Sequence, residues 1–215
     1  RAELAQAELR TLRSQMNPHF LFNALNTIAS MVREDPAAAE DTTTRLAELF
    51  RYALRASDRD QAPFEDELAF VRDYLAIEHR RFGARLRVVE DIAPDIGRVP
   101  VPTLLLQPLV ENAVRHGIGP RAEGGTVWLR ARPVGATLVI EVADDGPGFK
   151  AGAAPSGNGF GLHSVRERLR AAGPPHALEI DPGHEGGACV RVTLPFVETA
   201  LPPTSISLPH SGGCP

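Results

Sequence analysis

Four short stretches of this chain concentrate the residues that could do chemistry. The first, residues 17–26, reads N-P-H-F-L-F-N-A-L-N and places His19 directly behind Pro18, with Asn23 one helical turn further on. A proline inside a helix removes a backbone hydrogen bond and crowds the preceding turn, at a cost of about 3 kcal/mol. A sequence that keeps one there is positioning the imidazole beside it, the side chain whose protonation changes nearest neutral pH. Taken alone, a histidine on a helix is most often an ordinary surface or core residue. The other three stretches are E-N-A-V-R-H-G at 111–117, D-D-G-P-G-F at 144–149 and G-N-G-F-G-L at 157–162. Each is weak by itself, since D-D-G-P-G commonly makes a turn and G-x-G-x-G occurs in many loops. Their order and spacing behind a histidine-bearing helix are far more specific.

The elements that must carry these residues follow from periodicity. From Ala2 to about Val32 the pattern is helical, with Leu9, Leu12, Met16 and Phe20 on one stripe and Leu21, Leu25, Ile28 and Val32 on another. The change of stripe at Pro18 predicts a bend there. Glu34-Asp35-Pro36 ends this helix, and a second runs from about Ala37 to Ala56 with Leu46, Leu49, Phe50, Ala53 and Leu54 at helical spacing. A single hairpin cannot bury two apolar faces, so pairing of two copies into a four-helix bundle is expected. A third helix follows the acidic start Glu65-Asp66-Glu67, which suits a positive helix terminus, and reaches about Arg81 before Gly83.

The second half alternates. A strand around Leu86–Ile92 precedes a helix from about Pro102 to His116, then strands near 126–132 and 137–143, a glycine-rich segment at 146–161, a helix at 162–172, and strands near 177–181 and 188–195. This predicts an α+β chain in which the hairpin is followed by a two-layer α/β sandwich, a mixed sheet with helices on one face. The expected division is a hairpin at 1–60, a linker helix at 61–83, a sheet domain at 84–197 and a disordered tail at 198–215. A boundary near Gly83 makes the stretch 57–83 the candidate hinge.

Composition excludes several classes. A net charge of −4 gives no general attraction to nucleic acid. Two cysteines, Cys189 and Cys214, are too few for a disulfide scaffold or a zinc site, which reads as cytosolic. No run of about 20 apolar residues exists to span a bilayer. The chain opens at Arg1 directly in a helical pattern, and is read as an excerpt whose N-terminal portion has been cut away, so the lack of a membrane span says nothing about the parent.

Together the stretches Q-M-N-P-H-F-L-F-N, L-Q-P-L-V-E-N-A-V-R-H-G and G-N-G-F-G-L-H-S-V-R-E-R-L identify a family resemblance over residues 5–197. The chain resembles the LytS/YehU-type sensor histidine kinases. Its hairpin is similar to their dimerisation and phosphoacceptor region, and the remainder looks like the GHKL (Bergerat) ATP-binding domain shared with gyrase, Hsp90 and MutL. The resemblance implies that His19 accepts the γ-phosphoryl group of ATP, with Asn23 as the polar residue one turn on. It implies that Asn112 holds Mg²⁺ through the nucleotide phosphates, that Arg115 and His116 line the same helix end, and that Asp144 accepts from the adenine amino group. Gly146 and Gly148 would turn tightly beside the base. Gly157, Gly159 and Gly161 would form the lid, and the helix opening at Leu162 would offer N–H groups to phosphates. The implied partners are a second copy of the chain and the aspartate of a response regulator, which in many relatives is of the LytTR DNA-binding type.

Some positions depart from the pattern. Phe20 stands where commoner histidine kinases place an acid able to act as base, and Pro108 stands where many relatives place Asn or Glu, leaving Glu111 as a stand-in. Ala188 stands where many have a threonine. These departures keep a second reading open, a nucleotide-binding switch module with little phosphoryl transfer. A GHKL ATPase that drives a conformational cycle is disfavoured by Pro108. Trp128 is read as packing, Cys189 as core, and the arginines at 166, 168 and 170 as a solvated helix face.

Overall fold

The computed structural model describes residues 17–56, 58–148, 160–183 and 186–196. The hairpin consists of α1 (Pro18–Glu34) and α2 (Pro36–Ala56), separated by one residue. Asp35 makes so short a turn possible by serving both helices. Its N–H donates to Met31 O at 2.8 Å, closing α1, while its Oδ1 accepts from the Ala38 N–H at 3.0 Å, capping α2. The expectation of a proline inside a helix is corrected here. Asn17 is extended (φ −63°, ψ 117°), its side chain accepts from the His19 N–H at 3.0 Å, and Pro18 opens the helix. At that first position the missing N–H would have had no helical partner, and the fixed φ favours the helix.

The third helix, α3 (Phe64–Phe82), is the most deeply embedded element of the hairpin half. Phe64, Leu68, Phe70, Val71, Tyr74, Leu75 and Ile77 are all buried. It packs on α1 through Phe20 and Tyr74, whose ring centroids are 4.7 Å apart, and on α2 through Tyr52 and Phe70 at 5.2 Å. A two-strand ribbon that periodicity did not reveal, β1 (Gln61–Pro63) with β3 (Pro100–Pro102), pairs residues on either side of the expected boundary. One apolar core runs from Phe20 through α3 to Leu194. Any hinge in 57–83 is therefore confined to the connections flanking α3, at 58–60 and at Gly83 (φ +58°).

The main sheet holds β2 (Leu86–Ile92), β4 (Gly125–Val134), β5 (Thr137–Asp144), β6 (Ala177–Pro182) and β7 (Ala188–Pro195) in the order β2-β4-β5-β7-β6. β2 and β4 are parallel and the remaining pairs antiparallel, so the sheet is mixed, as expected. Strict alternation sends Leu138, Ile140, Val142, Val190, Val192 and Leu194 to the face covered by α4 (Leu106–Asn112) and α5 (Phe160–Ala172). The opposite face carries half-buried Trp128, Arg130, Glu141, Cys189 and Arg191 around a shallow depression. Cys189 is thus on the open face rather than in the core, because it lies one residue from inward-pointing Val190. No described helix is long and apolar enough to cross a membrane.

Candidate functional site

α4 is shorter than periodicity suggested. Residues 103–105, expected in the helix, instead form a strap in which Leu104 is left-handed (φ +53°). Asn112 is the last residue of α4, and the backbone then widens into a π-helical turn, Ala113–Ile118, in which the Gly119 N–H donates to Val114 O at 2.8 Å. Such a turn inserts a residue into the helical ladder and re-aims those after it. Here it leaves Arg115 and His116 exposed and delivers Gly117 against the end of β5. Partial burial and the positive charge of Arg115 push the His116 pKa down.

Asp144 closes β5 and is 4% exposed. A Cβ on Gly117 would stand 2.5 Å from its Cγ and Oδ1, one on Gly146 would stand 2.7 Å from Oδ1, and one on Gly187 would stand 1.8 Å from its carbonyl oxygen. Three chain segments therefore converge on this residue at distances only glycine permits. Gly146 N–H donates to Oδ1 at 2.9 Å, and the Ala188 N–H also serves the carboxylate. Burial raises its pKa, and these two donors oppose the rise. Among the described residues no ion pair neutralises it. A carboxylate has about four acceptor sites, so capacity remains for an N–H donor from outside the chain.

The adjoining loops are pinned separately. Asp145 Oδ1 accepts from the Thr126 N–H at 2.8 Å, and Arg121 donates to the Asp145 carbonyl and pairs with its carboxylate. Gly148 has φ +68°, and a Cβ there would meet Gly186 O at 2.3 Å. Across the site, Gly161 lies in the first turn of α5, where a Cβ would meet Pro108 Cβ at 2.9 Å. Pro108 is one turn before Asn112, so α5 begins directly beside the Asn112 helix. Its first residue is Phe160, and Leu162 is buried in the core.

Glu111 is turned elsewhere, as its position about 100° around the helix from Asn112 dictates. It accepts from Gln107 at 2.8 Å, and its charge raises the pKa values of Tyr74 and Glu78 on α3. Burial raises its own pKa. It is part of the α3–α4 seam, not a carboxylate beside Asn112.

His19 sits in a different setting. It is exposed in the first turn of α1, and the Asn23 amide nitrogen lies 3.2 Å from its Nδ1 and 3.4 Å from its Nε2. The neighbouring Phe20 is 3% exposed and stacked on Tyr74. The same helix exposes Phe22 (68%), Leu25 (48%) and Val32 (53%), an apolar stripe left uncovered among the described residues.

Of the residues singled out by sequence, Asn112, Asp144, Gly146, Gly148, Gly161 and Leu162 come together around one end of the sheet. Arg115 and His116 flank it, and His19 with Asn23 stands apart on the hairpin. Gly157 and Gly159, the tail 198–215, and Leu9, Leu12 and Met16 lie outside the described residues. Sequence reasoning missed Gly117 and Gly187 as packing partners of Asp144, although both glycines stood in plain view beside the motifs. It also missed Arg121, which lies in a polar loop and carries no motif.

Two families match the chain. One described as histidine kinase matches residues 7–86, and one described as histidine kinase-, DNA gyrase B- and HSP90-like ATPase matches residues 99–198. The chain is 39% identical over 190 residues to the sensor histidine kinase YpdA of Escherichia coli (strain K12), covering 84% of this chain and 33% of that protein. It is 33% identical over 206 residues to the sensor protein LytS of Staphylococcus saprophyticus, with 91% and 35% coverage. It is 32% identical over 198 residues to the sensor histidine kinase YesM of Bacillus subtilis (strain 168), with 89% and 34% coverage. The chain thus spans about a third of the length of these relatives. Among solved structures, the histidine kinase domain of the blue-light activated kinase of Erythrobacter litoralis superposes with a TM-score of 0.51 at 23% identity. That match covers 91% of this chain and 96% of the other, and it supports the fold.

Proposed function

We propose, for a chain that belongs to the sensor histidine kinase family, that it binds ATP at the Asp144 end of the sheet and transfers the γ-phosphoryl group to His19. The observation that carries this reading is the buried Asp144 carboxylate, held by two backbone N–H groups with acceptor capacity to spare and without an ion pair among the described residues. That is the environment expected of a group reading an exocyclic amino group, and it lies where three glycines bring the backbone in close. In this reading Asn112 and the start of α5 would face the phosphates. A carboxamide oxygen is a suitable hard ligand for Mg²⁺, which would supply charge neutralisation at the phosphates.

In this reading a neutral His19 nitrogen forms the new N–P bond as the bond from the γ-phosphorus to the β-bridging oxygen breaks, and ADP leaves. The phosphoryl group then passes to an aspartate of a response regulator. Asn23 sets which ring nitrogen keeps its lone pair. Phe22, Leu25 and Val32 form the face that a second copy would cover, giving a four-helix bundle and a homodimer. The LytTR type of regulator is the natural partner to test.

A second reading has one observation in its favour. Phe20 is buried against Tyr74, so no carboxylate follows His19 to take its proton, and a nucleotide-dependent switch without transfer would need none. The two are separated by incubating the protein with γ-labelled ATP and Mg²⁺ beside His19→Gln and Asn112→Ala. Acid-labile, alkali-stable label in the parent that disappears in both variants supports the kinase. Full labelling of His19→Gln sinks His19 as the acceptor, and ATP binding without any label favours the switch.

A further inference from the structure

A buried polar chain connects the hairpin to the nucleotide end by a route that the proposed chemistry does not use. Glu67 was expected to be one of three acids at the solvated start of α3. It is instead fully buried (0% exposed) and points across to the strap that precedes α4. Its Oε1 accepts from the Leu104 N–H at 2.6 Å and its Oε2 from the Leu106 N–H at 3.0 Å, which caps α4 from 37–39 residues away. The Tyr52 hydroxyl on α2 donates to the same Oε1 at 2.5 Å. From the other side, Arg168 on α5 donates to Thr103 O at 2.9 Å and Leu104 O at 3.4 Å.

The residue at the N-cap of α4 is Leu105, which has no side chain able to cap, so Glu67 supplies that role from α3. Thr103 ties the strap to the hairpin: its hydroxyl donates to Arg59 O at 2.9 Å and its N–H to Asp60 O at 3.1 Å, both in the turn that leaves α2. Leu104, a bulky residue, is held at φ +53° between these anchors. A left-handed leucine persists only where its surroundings over-determine it, and such positions gather at functional and switching segments. The donors around Glu67 come from α2, from the strap and from the first residue of α4; burial raises its pKa, and these hydrogen bonds oppose the rise.

We propose that Glu67 is a positioning residue for the nucleotide site: it passes the Tyr52 contact of the hairpin to the strap and α4, and Arg168 on α5 holds the same strap directly from the other side. α4 ends in Asn112, and α5 begins at Gly161 against Pro108. A shift of α2 that loosens the Tyr52 contact changes the seating of the strap, and with it the spacing of the two helices that flank the phosphates. Linkage requires the converse as well, so nucleotide that draws α5 toward α4 biases the hairpin through the same carboxylate. The inference rests on the nucleotide reading above for its ligand, while its geometry stands independently.

The test uses Tyr52→Phe, which removes only a hydroxyl, Arg168→Met, and the double variant. Two quantities are read: the dissociation constant for ATP with Mg²⁺, and amide hydrogen exchange at Leu104 and Leu106 in the absence of nucleotide. Tyr52→Phe is expected to change ATP affinity at least threefold and to raise exchange at both amides, with much smaller effects once Arg168 is already Met. Glu67→Gln leaves the Arg168 contacts in place and is expected to show at least the effects of Tyr52→Phe; should it fail to fold, the Tyr52 and Arg168 cycle decides alone. A purely structural Tyr52 contact would lower Tm and leave affinity and strap exchange unchanged, which overturns the proposal, as does strict additivity of the two substitutions. A parent that binds no ATP overturns the nucleotide reading alone, because the exchange measurement still decides the coupling.

Discussion

At the Asp144 end, backbone from the π-helical turn after α4, from the loop after β5 and from the residue before β7 meets around one residue at distances that exclude a single methyl group. At the His19 end, an imidazole stands in solvent on the first turn of a helix, with one amide for a neighbour. Among the described residues, the first region is packed so closely that it has almost no freedom to adjust. The second is open, with an apolar flank of Phe22, Leu25 and Val32 that is exposed among the described residues. A group that must recognise a nucleotide gains from being fixed, whereas a group that must meet first a nucleotide and then a second protein gains from exposure.

The largest test of this contrast is a methyl group at Gly117. Its φ is not in the left-handed region, so Gly117→Ala introduces bulk without backbone strain, but the new Cβ falls 2.5 Å from Asp144 Cγ. Either the π-helical turn or the carboxylate must move and give up its Gly146 donor. A loss of about 3 kcal/mol in unfolding free energy is expected from overpacking and a disturbed buried hydrogen bond. ATP affinity should fall at least tenfold. Denaturant titration and calorimetric binding measure the two. A fully tolerated Gly117→Ala would mean that the Asp144 end is far looser than its distances indicate.

The seam between the two regions offers a middle-sized test, because its acids are buried. Glu78 on α3 is 3% exposed, and its pKa is pushed up from 4.5 to about 7 by burial, with Arg81 at 2.6 Å opposing the rise and Glu111 adding to it. In the unfolded chain this group loses its proton near 4.5, whereas in the fold it keeps it to about 7. Between those values the native state binds the extra proton, so stability falls as pH rises, and the full penalty is present above 7. At about 1.4 kcal/mol per unit, the effect is on the order of 2–3 kcal/mol between pH 4.5 and 8. Glu78→Gln should remove that part of the pH dependence, and thermal melts at pH 5, 6.5 and 8 would show it. A parallel pair of curves would place the titration on another acid.

The two regions also differed in how far their residues announced them. Strand alternation from Thr137 to Asp144 and from Ala188 to Pro195 gave the mixed sheet, because one buried face imposes a period of two. Asp144 and Asn112 could be located in the fold from sequence because each closes an element, β5 and α4. Two features were hidden because their cause is distant in sequence. Residues 103–105 look helical in isolation, but Glu67 holds them as a strap from 37–39 residues upstream. Glu67 itself looked like a dipole-compensating acid, since nothing local reveals that Leu104 and Leu106 point their N–H groups at it. Pro18 was misplaced for the opposite reason. The change of apolar stripe there suggested a bend within one helix, while the Asn17 cap that starts the helix depends on backbone angles that periodicity does not encode.

The smallest test lies on the exposed side. Asn23 reaches His19 through solvent, so Asn23→Ala should change unfolding free energy by no more than about 0.5 kcal/mol. Its effect on transfer should be disproportionate. The carboxamide can donate from its nitrogen or, turned end for end, accept at its oxygen, and the choice fixes which imidazole nitrogen carries the proton. Without it the ring samples both tautomers and more rotamers, so a several-fold lower rate of labelling from γ-labelled ATP is expected, with ATP affinity unchanged. The ¹⁵N shifts of the His19 ring in parent and variant would report the tautomer directly. A shift in the tautomer ratio with an unaltered labelling rate would show that positioning at this end is imposed by the partner that covers the hairpin, and not by the hairpin itself.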